Sequence, residues 1–75
     1  MSDLSPILYE YLTRIEHESH TFDRRNYINR GEMATYQELC RLDFCKEDET
    51  GPGGSIVVFT ITLLGLAALR ERRAE

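Results

Sequence analysis

The apolar positions in the last third of the chain change their spacing at Thr62. Before this residue, the run 56–61 (IVVFTI) is rich in β-branched and aromatic residues and follows a glycine-rich turn, so it predicts a strand over residues 55–61. After it, leucine and alanine recur at helical spacing and predict a helix over residues 62–73. We expect the Thr62 hydroxyl to cap that helix. The arginines of its last turn suit the negative end of the helix dipole.

Three further helices are predicted before this segment. Ser5 and Pro6 are typical of a helix start, and the apolar residues that follow fall on one face of a helix over residues 5–18. A short helix is predicted over residues 22–30, capped by Thr21 and ended by Gly31. Thr35 begins a third helix over residues 35–42, because a glutamate three residues later completes a capping box.

The polar segment between residues 46 and 54 contains charged residues, glycines and a proline, and it separates two apolar segments. It therefore predicts a hairpin loop between strands at 43–47 and 55–61. The resulting order is helix, helix, helix, strand, strand, helix. We expect a single α+β domain over residues 1–75.

Two segments of the sequence resemble a known family. Residues 61–69 read apolar-Thr-x-x-Gly-x-x-x-Leu, which is similar to the end of bacterial winged helix-turn-helix domains of the MarR-like and PadR-like regulators. Residues 39–46 resemble that family's passage from recognition helix to first wing strand, with Asp43 where glycine is common; aspartate tolerates left-handed backbone geometry. The resemblance covers mainly residues 36–69. It implies a winged helix-turn-helix with three helices, a small antiparallel β-hairpin wing and a C-terminal helix, and Gly65 would let that helix approach its neighbour closely.

The same resemblance implies that the chain binds duplex DNA as a small transcriptional regulator. In the family, the third helix enters the major groove and the wing touches the neighbouring backbone. Carried over to this sequence, helix side chains would face bases or phosphates, and arginines around the second helix would hold phosphates. The implied DNA-binding residues are Arg24, Arg25, Arg30, Thr35, Gln37, Glu38 and Arg41.

The charge distribution favours an alternative function. The formal net charge is −4, and the predicted wing carries Glu47, Asp48 and Glu49, which would repel phosphate. The alternative is a non-catalytic protein-interaction module of the same fold, for example a small phage-type inhibitor or adaptor. Because a 75-residue chain buries only about 60–65% of its unfolded surface, we expect a homodimer. Its predicted contacts on the terminal helices are Leu4, Ile7, Tyr11 and Leu66.

The uncharged run over residues 55–69 raises the alternative of a membrane span. It contains 15 residues, whereas a spanning helix needs about 17–25, and its first half favours a strand. The N-terminus also lacks the pattern of a signal peptide. We therefore expect a cytoplasmic protein with reduced thiols and no membrane partner.

The sequence offers little catalytic chemistry. Its glycine-rich segment precedes a strand rather than a helix, so it is not a phosphate-binding loop, and we expect neither enzymatic activity nor a cofactor. A zinc site formed by His17, His20, Cys40 and Cys45 is an alternative. The Cys-x4-Cys spacing is looser than that of common zinc knuckles, so we expect no metal and interpret the cysteines as small apolar residues.

Overall fold

The computed structural model describes residues 4–25 and 30–74, with the side chain of Arg30 outside the described part. Three helices and three strands lie in this part of the chain. Their order is α1 (Pro6–Arg14), β1 (His20–Asp23), α2 (Arg30–Arg41), β2 (Cys45–Thr50), β3 (Ile56–Ile61) and α3 (Leu63–Ala74). The strands form one antiparallel sheet in the order β1-β3-β2. The fold is therefore α+β, as the sequence predicts.

Helix α1 begins where the sequence predicts but ends earlier. The Leu8 amide donates to the Ser5 hydroxyl at 3.4 Å, and Pro6 takes the first helical position. The helix ends at Arg14, so the predicted extension to residue 18 is wrong. Ile15 is the last apolar residue of the stripe, and the polar residues 16–19 offer no side chain that could continue its packing.

The predicted helix over residues 22–30 is wrong in its first part. Residues 20–23 form strand β1, which pairs with β3 and sets Phe22 opposite Val57. Both side chains are buried. Burial of Phe22 against the apolar strand β3 stabilises an extended backbone here and outweighs the weak local helix signal. Residues 26–29 of the predicted helix lie outside the described residues.

Helix α2 begins at Arg30, five residues before the predicted start at Thr35. The predicted capping box is therefore wrong. Thr35 lies inside the helix, and its hydroxyl donates to the Gly31 carbonyl at 3.2 Å. A threonine hydroxyl can satisfy a backbone carbonyl one turn earlier in this way, so the residue fits a helix interior as well as a cap.

Helix α2 ends in a Schellman motif, in which a left-handed residue closes the helix. Asp43 has a φ angle of 66° and donates its amide to the Cys40 carbonyl at 2.9 Å. The Phe44 amide donates to the Leu39 carbonyl at 3.0 Å, and both of these side chains are buried. This arrangement of two bonds and one apolar contact defines the motif. Aspartate tolerates this left-handed backbone better than most residues, so Asp43 can stand where the resembled family commonly has glycine.

The predicted strand over residues 43–47 is wrong at both ends, because residues 43–44 belong to the turn after α2 and the strand continues past residue 47. Strand β2 runs from Cys45 to Thr50, so residues 48–50 lie in the strand rather than in the loop. The strand lies at the edge of the sheet, and its residues after Cys45 are all exposed. Charged side chains suit such an edge, since they discourage pairing with another chain. The turn to β3 uses glycines with positive φ angles at Gly51, Gly53 and Gly54.

The apolar run near the C-terminus divides at Thr62, as predicted. Strand β3 ends at Ile61, and the Thr62 hydroxyl accepts the Gly65 amide at 3.0 Å to cap α3. The same hydroxyl donates to the Asp43 carbonyl at 2.7 Å, which joins the start of α3 to the end of α2. Among the described residues, no helix is both long enough and apolar enough to cross a membrane.

The core lies between the sheet and the helices. The alternation along β3 directs Val57 and Phe59 inward, and Leu69 of α3 is fully buried as well. At the end of α3, Arg73 forms two bonds with the Glu16 carboxylate, at 2.7 and 2.8 Å, and ties α3 to the segment after α1. The buried apolar residues are Leu4, Leu12, Ile15, Phe22, Tyr36, Leu39, Phe44, Cys45, Val57, Phe59 and Leu69.

Candidate binding surface

The outward side of α2 carries three of the seven side chains that the resemblance assigns to DNA. Tyr36 and Leu39 are fully buried on the inward side of this helix. Gln37 and Arg41 are four residues apart and exposed on the outward side, with the partly exposed Glu38 beside them. The outward side of α2 therefore presents the Gln37 amide, the Arg41 guanidinium and the Glu38 carboxylate to a partner.

Strand β2 continues this surface. Its register with β3 and the burial of Cys45 place Glu47 and Glu49 on the sheet face that the helices cover, whereas Asp48 lies on the opposite face. The Gln37 amide group reaches the Glu47 carboxylate at 3.5 Å. The Glu47 carboxylate thus adjoins the outward side of α2.

The turn after β1 closes the other end of the surface. Arg24 binds the Glu49 carboxylate at 2.6 Å, so the end of β1 is linked to the far end of β2. We use the name α2–hairpin face for the surface formed by these side chains. It consists of Arg24, Gln37, Glu38, Arg41, Glu47 and Glu49.

The arginines on and near this face are paired with carboxylates. Arg41 binds Glu38 through two nitrogens, with its Nε atom 3.0 Å from Oε2. This pairing lowers the pKa of the Glu38 carboxyl and raises the pKa of Arg41. A phosphate group would have to displace Glu38 from Arg41 in order to bind there.

Arg25 lies next to the face and is paired within its own segment. Its side chain binds both oxygens of Asp23, at 3.0 and 2.8 Å, and its amide donates to the same carboxylate at 2.9 Å. These bonds hold the pKa of Asp23 at about 2. The carboxylate therefore stays ionised and opposed to Arg25 at any physiological pH.

The remaining implied DNA-binding residues are Thr35 and Arg30. Thr35 is partly buried, and its hydroxyl is engaged by the Gly31 carbonyl. The side chain of Arg30 lies outside the described residues. The structure thus brings Arg24, Gln37, Glu38 and Arg41 to one surface, and it adds Glu47 and Glu49, which the DNA interpretation assigned only to the wing. The alternation of strand β2 could have predicted that these two glutamates share a face.

The balance of charge on the α2–hairpin face is acidic. Its two arginines, Arg24 and Arg41, stand against three glutamates, so its formal charge is −1. Lys46 and Asp48 lie on the opposite face of the strand and do not change this balance. The face therefore attracts a cationic partner more than a polyanion.

The alternative zinc site is not formed by its proposed ligands. His17 is exposed and lies 3.8 Å from Glu16, whereas the His20 ring packs against Phe22 and stacks on Tyr36, with ring centroids 4.6 and 5.4 Å away. Within residues 4–25 and 30–74, no group of three or more His, Cys, Asp and Glu side chains could hold a metal ion. The two cysteines form a separate pair at the end of α2.

The residues predicted to support a homodimer differ in how exposed they are in the structure. Leu4 is only 5% exposed and belongs to the core, so its predicted role in a dimer is wrong, because packing at the start of α1 already uses it. Tyr11 and Leu66 are half-buried, and Ile7 is exposed. Two large apolar side chains that the prediction omitted, Leu63 and Leu64, are exposed at the start of α3.

Comparison of the chain with protein-family models, curated proteins and solved structures gave no match.

Proposed function

We propose that this chain is a non-catalytic module of winged-helix type whose α2–hairpin face binds a basic segment of another protein. The observation that carries the proposal is the position of Glu47 and Glu49. Gln37 holds the Glu47 carboxylate beside the outward side of α2 at 3.5 Å, and Arg24 binds the Glu49 carboxylate at 2.6 Å at the far end of the strand. A cationic partner would meet carboxylates already oriented by the fold.

The winged-helix assignment is supported by the second half of the chain. Helix α2 leads directly into a β-hairpin, and the hairpin leads through the Thr62 cap into α3. A helix-turn-helix reader uses two successive helices. Among the described residues, only α2 lies between β1 and β2. Within residues 4–25 and 30–74, one helix rather than two therefore stands between β1 and the hairpin, which differs from the helix pair that docks on DNA.

Duplex DNA remains the second candidate, and one observation favours it. Gln37 and Arg41 share one exposed side of a helix and are suited to reading base edges. The Arg41 side chain is 68% exposed, and exposed ion pairs contribute little to stability. Arg41 could therefore exchange Glu38 for a phosphate at small cost, and the unfavourable part of the interaction is the repulsion from the remaining carboxylates.

A titration of the isotopically labelled chain distinguishes the two candidates. We expect an extended peptide rich in lysine and arginine to shift the amide resonances of Gln37, Glu47 and Glu49. The double variant Glu47→Gln, Glu49→Gln should weaken that binding, whereas Glu71→Gln on the exposed side of α3 should not. Duplex DNA at low salt should leave the spectrum unchanged.

Two results would contradict the proposal. Binding of duplex DNA that weakens steeply with salt and is reduced by Arg41→Ala would replace it with the second candidate. A spectrum unchanged by both the peptide and the DNA would show that the α2–hairpin face recognises neither kind of charged partner.

A further inference from the structure

The two cysteines of the chain meet at the junction of α2 and β2. The Sγ atom of Cys40, in the last turn of α2, lies 2.9 Å from the Sγ atom of Cys45, the first residue of β2. The Cys45 thiol also lies 3.4 Å from the Tyr36 carbonyl oxygen. Both cysteines are free thiols.

The backbone between the cysteines holds them in this position. The Schellman motif at Asp43 reverses the chain directly after α2, and Phe44 anchors the reversed segment in the core. The junction of β3 and α3 also holds this turn, because the Thr62 amide donates to the Phe44 carbonyl at 3.1 Å. The approach of the two sulfur atoms therefore follows from a turn that is bonded on both sides.

We propose that Cys40 and Cys45 are a redox modification site. They form a disulfide bond with each other by exchange with a small disulfide such as oxidised glutathione. This inference does not rest on the proposed function. The sulfur atoms need to move less than 1 Å toward each other to reach the disulfide bond length of about 2.05 Å. The site is a dithiol, so its product is a bond between α2 and β2 rather than a permanent adduct.

The reaction takes place in two exchanges. The Cys40 thiolate attacks one sulfur of the small disulfide, so that a mixed disulfide forms and one glutathione thiolate leaves. The Cys45 thiol then loses its proton and attacks the Cys40 sulfur, which expels the second glutathione thiolate. Two protein thiols are oxidised, one small disulfide is reduced to two thiols, and the two protons pass to the departing thiolates.

Cys40 is the thiol that reacts first. It is partly exposed, whereas Cys45 is only 3% exposed and is covered by the core. Burial raises the pKa of both thiols, and the nearby Glu47 carboxylate raises them further. The thiolate is the attacking species, so the reaction should be slow at neutral pH and should accelerate as the pH rises.

An equilibrium measurement on the wild-type chain tests the site. The folded chain and the chain in concentrated urea are incubated in the same buffer of reduced and oxidised glutathione, quenched with acid, and analysed by mass spectrometry after alkylation. Because the fold holds the thiols together, we expect the ratio of disulfide to dithiol to be at least about tenfold higher in the folded chain. An equal or lower ratio in the folded chain would overturn the proposal.

Two further measurements use the same preparations. By thermodynamic linkage, the oxidised chain should have a Tm several degrees above that of the reduced chain, and an unchanged or lower Tm would count against the site. Under brief oxidation, peptide mapping of the wild-type chain should find the mixed disulfide on Cys40. The variant Cys45→Ala should form a mixed disulfide on Cys40 faster than the variant Cys40→Ala forms one on Cys45, and the reverse order would contradict the assignment of the first thiol.

Discussion

Gly65 packs so closely on Phe44 that no side chain fits between them. A Cβ atom at Gly65 would lie 3.0 Å from the Phe44 carbonyl carbon and closer still to its oxygen, and it would lie 2.8 Å from Cγ1 of Ile61. The start of α3 therefore rests directly on the turn that joins α2 to β2. The glycine lowers helix propensity by about 1 kcal/mol relative to alanine, and the close contact explains why it is present.

We expect Gly65→Ala to destabilise the chain, although alanine is the better helix former. The added methyl group must displace the backbone at Phe44, and overpacking of this kind costs about 1–3 kcal/mol. The free energy of unfolding in urea measures the effect. Gly31→Ala in α2 is the matched control, because a Cβ atom there meets no other atom of the described residues within 4 Å. It should be neutral or stabilising by up to about 1 kcal/mol, and equal effects of the two substitutions would contradict the packing argument.

Replacement of Thr62 tests the cap that divides the strand from the helix. Thr62→Val keeps the shape but removes the hydroxyl that accepts from Gly65 and donates to the Asp43 carbonyl. We expect a loss of about 1–2 kcal/mol in urea unfolding, since a cap and a bond between elements are lost together. Thr62→Ser retains the hydroxyl and should lose much less. If Thr62→Val were as stable as the wild type while Thr62→Ser was destabilised, the methyl group rather than the hydroxyl would be responsible.

The features that the sequence predicts correctly depend on neighbouring residues alone. The Thr62 cap follows from a hydroxyl residue directly before a helical pattern, and the left-handed turn at Asp43 follows from a residue type that tolerates it. The strand at Phe22 could not be predicted in this way. Its extended backbone is stabilised by Val57 on β3, which lies 35 positions further along the chain, and no local pattern contains that pairing.

The candidate surface also contains both kinds of feature: some follow from local sequence, and others depend on pairing between distant elements. The outward position of Gln37 and Arg41 follows from helical spacing, so the sequence could predict that these side chains are available to a partner. The ion pair between Arg24 and Glu49 joins two elements that meet only after folding. Arg24, which the sequence alone presents as a free cation, is therefore partly neutralised in the structure. This pairing makes the surface less suited to phosphate than the sequence suggests.

The ion pair between Asp23 and Arg25 predicts a specific dependence of stability on pH. The folded-state pKa of Asp23 is depressed to about 2, so the contribution of this pair is present above the ordinary pKa of the carboxyl group. It is lost as the pH falls from about 4 to about 2. We therefore expect Asp23→Asn to lower the urea midpoint near neutral pH, with the difference from wild type vanishing near the lower end of this window.

Two measurements check the pH prediction. Titration of the Asp23 carboxyl carbon by NMR should give a pKa of about 2. The side chain of Arg25 is exposed, so added salt should reduce the difference between the variant and the wild type. A carboxyl group that titrates in the usual range, or a difference in stability that persists unchanged in acid, would show that the pair does not form in solution.

The proposed role of the hairpin carboxylates in the choice between the two candidate partners can be tested by neutralising them. The triple variant Glu47→Gln, Asp48→Asn, Glu49→Gln removes three negative charges and changes the formal net charge from −4 to −1. We expect it to lose the affinity for a basic peptide. We also expect it to gain affinity for duplex DNA at low salt by at least about tenfold, because the arginines of the face are then no longer opposed by the hairpin.

A variant with the same net charge separates position from total charge. Glu10→Gln, Glu18→Gln, Glu71→Gln also removes three carboxylates, all exposed and all outside the α2–hairpin face. If the position of the hairpin carboxylates excludes DNA, this control should retain peptide binding and should gain little affinity for DNA, as measured by fluorescence anisotropy of a labelled duplex. An equal gain in both variants would mean that the long-range field of the whole chain, rather than Glu47 and Glu49 beside α2, keeps nucleic acid away.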